Sequence, residues 1–121
     1  MTQSENQAPA ERGAGIEILG MPAELDVATG DGLVEQGYAA IHRSARLLLL
    51  DLTGLCFCDA RGLSAFVQIA NHADAAGCRF ALIAPQPLVA KILRISGLER
   101  RMPVFATIND GLRLLAAIVC A

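Results

Sequence analysis

Strand-like and helix-like segments alternate about four times along the chain, which predicts an α/β fold: a mostly parallel sheet of four to five strands with about four crossover helices. Two further observations agree. Leu47 to Leu50 is an unbroken apolar run ending in Asp51, the pattern of a central strand covered on both faces. Helical patterns stop at Gly77 and Gly97, residues suited to ending a helix before the next element.

Residues 1–14 are rich in Gln, Ala, Pro, Gly and charge, and are expected to form a flexible tail ahead of one domain over residues 15–121. Gly15 to Asp26 alternates weakly and predicts a strand that Pro22 interrupts or places at a sheet edge. Ala28 to Ser44 predicts a helix, with Leu33, Gly37, Ala40 and Ile41 on one face. Arg46 to Leu52 is the apolar central strand. Leu63, Phe66, Val67, Ala70 and Ala73 recur at helical spacing and predict an amphipathic helix running to Gly77. Cys78 to Ala84 reads as a strand, Pro85 and Pro87 as a loop, and Leu88 to Ser96 as a short helix. Met102 to Ile108 is expected to be the last strand, with Asn109 capping a final helix through Leu112, Leu115, Ala116 and Val119.

Composition narrows the function classes. At 121 residues the chain has room for one core. Hydrophobic residues at 54% and charged residues at 18% exclude a disordered chain. A formal net charge of -2 offers no basic field to a phosphate backbone, and 4% aromatics leave little to stack on bases, so nucleic acid is not an expected partner. The apolar runs fall well short of the ~20 residues a bilayer requires, and the polar N-terminus has no signal-peptide core. Membrane insertion and secretion are therefore not expected. Cys56, Cys58, Cys78 and Cys120 are read as reduced thiols of a cytoplasmic protein, Cys56 and Cys58 sharing one strand face in a geometry unsuited to a bridge.

Catalytic constellations do not stand out. His42 and His72 are isolated on different predicted helices, away from any cysteine or acid at ligand spacing, and are read as solvated or boundary helix residues. No second pair completes a thiolate site with Cys56 and Cys58, and neither GxGxxG nor a Walker pattern is present. An enzyme is not expected, and no metal or cofactor is implied. What remains is the turn Asp59-Ala60-Arg61-Gly62 between the apolar strand and the next helix. Asp59 is placed to cap that helix, an interaction worth about 1 kcal/mol. First-turn N–H donors and the helix dipole also make such a turn a place where a phosphate, adding about -1.5 to -2 charges, is tolerated locally and changes how a partner docks. That device needs a hydroxyl, and the chain supplies Ala60. Ser64, one turn later on the same face, is the alternative acceptor, though its ordinary reading is a plain helical serine. Thr53 reads as a turn residue bonding its own backbone. Arg61, beside the helix donors, is placed to hold a nucleotide phosphate.

At these residues the chain resembles the STAS family, the anti-sigma factor antagonists of bacteria. "AELD" (Ala23 to Asp26) is similar to the family's G-E-L-D strand end, and "LLLLDLTGLCFCDARGL" to its apolar strand, D-L-S-G and F-x-D-S-S-G-L turn. Gly77 with "FALIAP" resembles the G-x-x-L-x-L-x-x-P segment, and "ILRISGLERRMPVFATINDGLRLL" the family's ending. Four fragments in order cover nearly everything after the tail. The resemblance implies a mixed sheet with helices packed mainly on one side. It also implies transcription regulation by partner switching: the unphosphorylated antagonist binds an anti-sigma factor of serine-kinase fold and frees the sigma factor, until phosphorylation of the turn serine abolishes binding. Asp59 corresponds to the acid before that serine, Ala60 to the serine, Arg61 to the second serine, Gly62 to the glycine, and Asp26 to an acid close to the turn. The implied partner-binding residues are Asp26, Cys58, Asp59, Ala60, Arg61, Gly62 and Leu63, with Cys58 expected as an exposed apolar contact. Two departures matter. Ala60 removes the phosphorylatable hydroxyl, and residues 1–14 hold no apolar counterpart of the family's first strand, so one edge strand is expected to be missing. The alternative is a STAS subunit or scaffold of another complex, such as a lipid-transport ATPase or a stress-sensing assembly, in which the turn docks without a switch.

Overall fold

The apolar run takes the centre of the sheet. In the computed structural model, which describes residues 15–43 and 45–120, β3 (Leu47–Asp51) lies between β1 (Ile16–Gly20) and β5 (Arg79–Ile83), and β6 (Val104–Phe105) flanks β5. All three pairings are parallel, with Leu49 opposite Ile18 and Ala81. Both faces of β3 are covered, which is why its sequence is continuously apolar rather than alternating. Leu48 and Leu50 join Phe80 and Leu82 in the larger core, while Leu47 and Leu49 join Ile18, Ala81 and Ile83 on the other face.

Three helices cover the first face: α1 (Val27–His42), α2 (Ala60–Ala75) and α3 (Pro87–Ser96) contribute Leu33, Phe66 and Val89 to the larger core. Among the described residues a single helix, α4 (Ile108–Cys120), packs Ile108, Leu112 and Leu114 on the second face. A parallel ribbon of β2 (Glu24–Leu25) and β4 (Phe57–Cys58) stands apart from the main sheet and leads directly into α1 and α2. The main sheet is ordered β1-β3-β5-β6, so its strands follow chain order without a reversal. Among the described residues it therefore has no topological switch point of the kind at which doubly wound sheets open a ligand crevice.

The α/β class, the mostly parallel sheet and helices packed mainly on one face are as expected. Several local expectations are corrected. The strand expected over Gly15 to Asp26 is two strands, because the chain leaves the ladder at Met21–Ala23 and re-pairs with a different partner. β1 is itself the edge of the described sheet; the expected tail, residues 1–14, lies outside the described residues. Pro87 opens α3 rather than belonging to the loop, its fixed φ and missing N–H costing nothing at a first helical position. The last strand shrinks from Met102–Ile108 to two residues, as Met102 turns into the larger core. Asn109 does not cap α4; it lies inside the helix, and the Asp110 N–H donates to Thr107 Oγ1 at 3.1 Å. The side chains of Leu115, Ala116, Val119 and Cys120 lie outside the described residues.

Candidate functional site

Two short strands, each followed by an aspartate and a sixteen-residue helix, build the site. Asp26 and Asp59 both hold extended backbone and both cap, for the reason Asp is favoured there: the carboxylate accepts from first-turn N–H groups that have no helical partner. At α1 the Thr29 N–H donates to Asp26 Oδ1 at 3.1 Å while the Asp26 N–H donates to Thr29 Oγ1 at 3.0 Å, closing a capping box. The Thr29 N–H, and after it the Thr29 hydroxyl, hold the Asp26 carboxyl below the ordinary carboxylate value. At α2 the Gly62 N–H donates to Asp59 Oδ1 at 2.8 Å.

The ribbon sets the two turns side by side. Leu25 pairs with Cys58, and the Asp59 N–H donates to the Leu25 carbonyl at 3.3 Å, so the following acids begin neighbouring helices. Gly62 lets α2 reach the ribbon: a Cβ there would meet the Leu25 carbonyl group, its carbon at 2.8 Å, and Cys58 Sγ at 3.0 Å. The helices then run parallel, with Asp26, Gly30, Asp31, Arg61, Ser64 and Gln68 around a groove of about 190 Å³ at their N-terminal ends.

Of the residues the sequence nominates, Ala60 and Arg61 are exposed, and Asp26, Asp59 and Leu63 are partly exposed. Cys58 and Gly62 are buried. Cys58 is therefore not an exposed apolar contact; its thiol packs against α2, and burial, then the Asp59 charge, push it up to about 12. Cys56 does not share its environment, since it precedes β4 and is exposed. Exposed apolar groups at this end include Val27 and Phe57, 49% and 47% accessible. Sequence reasoning passed over both. The available signal was positional: Val27 follows the first cap, and Phe57 alternates with a buried neighbour. Ser64 is exposed, and its Oγ accepts from Gln68 Nε2 at 3.2 Å. Thr53 bonds the Asp51 carboxylate through both its N–H and its hydroxyl, so the Asp51 side chain organises that bend rather than Thr53 bonding its own backbone.

The surface has the makings of a docking site: two capped helix starts, the exposed Arg61 guanidinium and the exposed Val27 and Phe57 side chains. The STAS domain family model matches residues 7–111. A Mycobacterium tuberculosis protein named as a candidate anti-anti-sigma factor is 37% identical over 68 residues, covering 54% of this chain and 44% of that relative, so the chain spans less than half of its length. An anti-sigma factor antagonist from Mycobacterium paratuberculosis superposes with a TM-score of 0.74 at 22% identity, over 83% of this chain and 85% of that one. A sulfate transporter family protein from Wolinella succinogenes superposes with a TM-score of 0.76 at 18% identity, over 88% and 89%. These structural likenesses concern the fold; the family match, spanning strand, twin caps and both helices, settles membership, and the chain belongs to the STAS domain family.

Proposed function

We propose that this chain acts as an anti-sigma factor antagonist. It docks on an anti-sigma factor of serine-kinase fold through Asp26, Asp59, Ala60, Arg61 and Leu63, with Val27 and Phe57 as the apolar contacts. The observation that carries the reading is the pairing of Asp26 and Asp59 on adjacent helix starts, which puts Ala60 and Arg61 in solvent beside exposed apolar side chains. Apolar anchors ringed by polar groups are what a protein interface requires. The identity shared with the mycobacterial relative supports the same reading.

Ala60 gives the proposal its particular form. A kinase-fold partner has no hydroxyl to modify at the first helical residue, so the antagonist stays competent to bind. Co-purification from the native cell tests this: a sigma-regulating protein of kinase fold is the expected partner, and Arg61→Glu is expected to weaken its retention. With that partner and ATP, Ala60→Ser is expected to gain a phosphate by mass spectrometry while the wild-type chain gains none at Ser64. Recovery of a transporter ATPase in place of a sigma regulator would instead assign the chain to another complex.

A further inference from the structure

The histidines that the sequence places on separate helices meet. His42 in the last turn of α1 and His72 in the last turn of α2 bring their Nε2 atoms to 3.1 Å, which overturns the expectation that they are isolated. Their ring centroids lie 5.2 Å apart with planes tilted by 57°. Tyr38, one turn before His42, stacks on His72 with centroids 4.0 Å apart and planes within 19°.

The meeting follows from helix packing. α1 and α2 run parallel, and Gly37 draws them together: a Cβ at Gly37 would lie 2.9 Å from Ile69 Cδ1. One turn further on, the same approach brings the imidazoles into contact. The pair lies about 18 Å along α2 from Ala60, so it forms no part of the candidate docking site.

We propose that His42 and His72 form a two-histidine chelate for a first-row divalent transition ion, with copper, zinc and nickel as the candidates. Metal–nitrogen bonds of about 2.0–2.1 Å separate adjacent ligand nitrogens by about 2.9 Å in a square arrangement and about 3.3 Å in a tetrahedral one. The observed 3.1 Å falls between them, so the nitrogen separation suits either geometry, and both rings must turn out of their mutual hydrogen bond to aim their lone pairs at one ion. Without metal, one Nε2 donates and the other accepts; with metal, both Nε2 lone pairs face the ion, both rings carry their proton on Nδ1, and no net proton is exchanged by neutral rings. Arg43, the adjacent cation, is engaged at 2.9 Å by the Glu17 carboxylate, which offsets its repulsion of a metal. Water fills the remaining coordination positions. Binding stabilises the folded chain by mass action, because the two ligands are 30 residues apart in sequence and meet only in the fold.

Isothermal titration calorimetry with copper, zinc or nickel chloride at pH 7.5 tests the proposal, using full-length protein carrying Cys56→Ser and Cys120→Ser to remove competing thiols. The expected result is one ion per chain, copper binding tightest, a rise in Tm that EDTA reverses, and loss of at least about tenfold in affinity in both His42→Gln and His72→Gln. Circular dichroism establishes that each variant is folded, and ring nitrogen NMR of the parent gives a second readout: zinc must shift Nε2 of both histidines. Absence of binding, or binding that survives either single substitution unchanged, overturns the chelate.

Discussion

Asp26 and Asp59 each cap a helix of sixteen residues behind a two-residue strand, yet the turns are secured differently. The α1 turn closes on itself, since Asp26 and Thr29 satisfy each other's backbone N–H and the Thr29 hydroxyl also donates to the Glu24 carbonyl at 2.9 Å. The α2 turn makes a single carboxylate bond and is held by contact, with Gly62 wedged against the Leu25 backbone and Cys58. Local hydrogen bonding leaves a turn indifferent to its neighbours; packing ties it to them. The turn proposed to dock a partner is the packed one, so its exposed Ala60 and Arg61 stand on a base that cannot shift without disturbing the ribbon.

The sharpest way to break this comparison is to add one methyl group to each of the two helices. Gly62→Ala drives a Cβ into backbone that cannot rotate away and should destabilise the domain by about 1–3 kcal/mol or more. Chemical denaturation measures it; an unchanged midpoint would show that the turn is not wedged. Next in size is Asp59→Ala, which removes the one side-chain cap of α2 and is expected to cost about 1 kcal/mol. The methyl group should have the opposite sign in α1. Gly32 is exposed and a Cβ there meets nothing within 4 Å, so Gly32→Ala should stabilise by about 0.5–1 kcal/mol through helix propensity and a less flexible unfolded chain.

The different security of the two turns also explains what the sequence disclosed. Asp59 is legible as a cap because the strand before it and the helix after it are strongly patterned, and capping depends on neighbours in sequence. Cys58 is not legible in the same way: whether it faces solvent or α2 depends on Gly62 admitting the helix to the ribbon, a contact with the separate strand ending at Leu25. The split of Gly15 to Asp26 is hidden for a similar reason, since each half pairs with a strand more than thirty residues away. His42 and His72 meet because Gly37 sets the distance between helices, and helical periodicity reports which face a residue occupies but not what lies opposite. Val27 and Phe57 are not legible because exposed apolar residues are common in sequence and become informative only once the fold shows which end of the molecule they share.

Asp26 allows the smallest and most specific test, because its cap can be separated from its charge. Asn caps as well as Asp, so Asp26→Asn preserves the hydrogen-bonding geometry and removes only the carboxylate's attraction to the α1 N-terminus. That carboxyl is held below its ordinary value near 3.8, chiefly by the Thr29 N–H. A group whose folded pKa is depressed contributes stability that is present above the unfolded pKa and lost as pH falls through the folded one. Wild type should therefore exceed Asp26→Asn slightly in Tm at pH 6, with the two curves converging as pH drops below 4. The carboxylate is solvent-exposed, so the gap should also shrink when salt is raised at pH 6. A gap that persists at pH 2.5, or one insensitive to salt, would show that the α1 turn draws on packing after all, and would remove its distinction from the turn at Asp59.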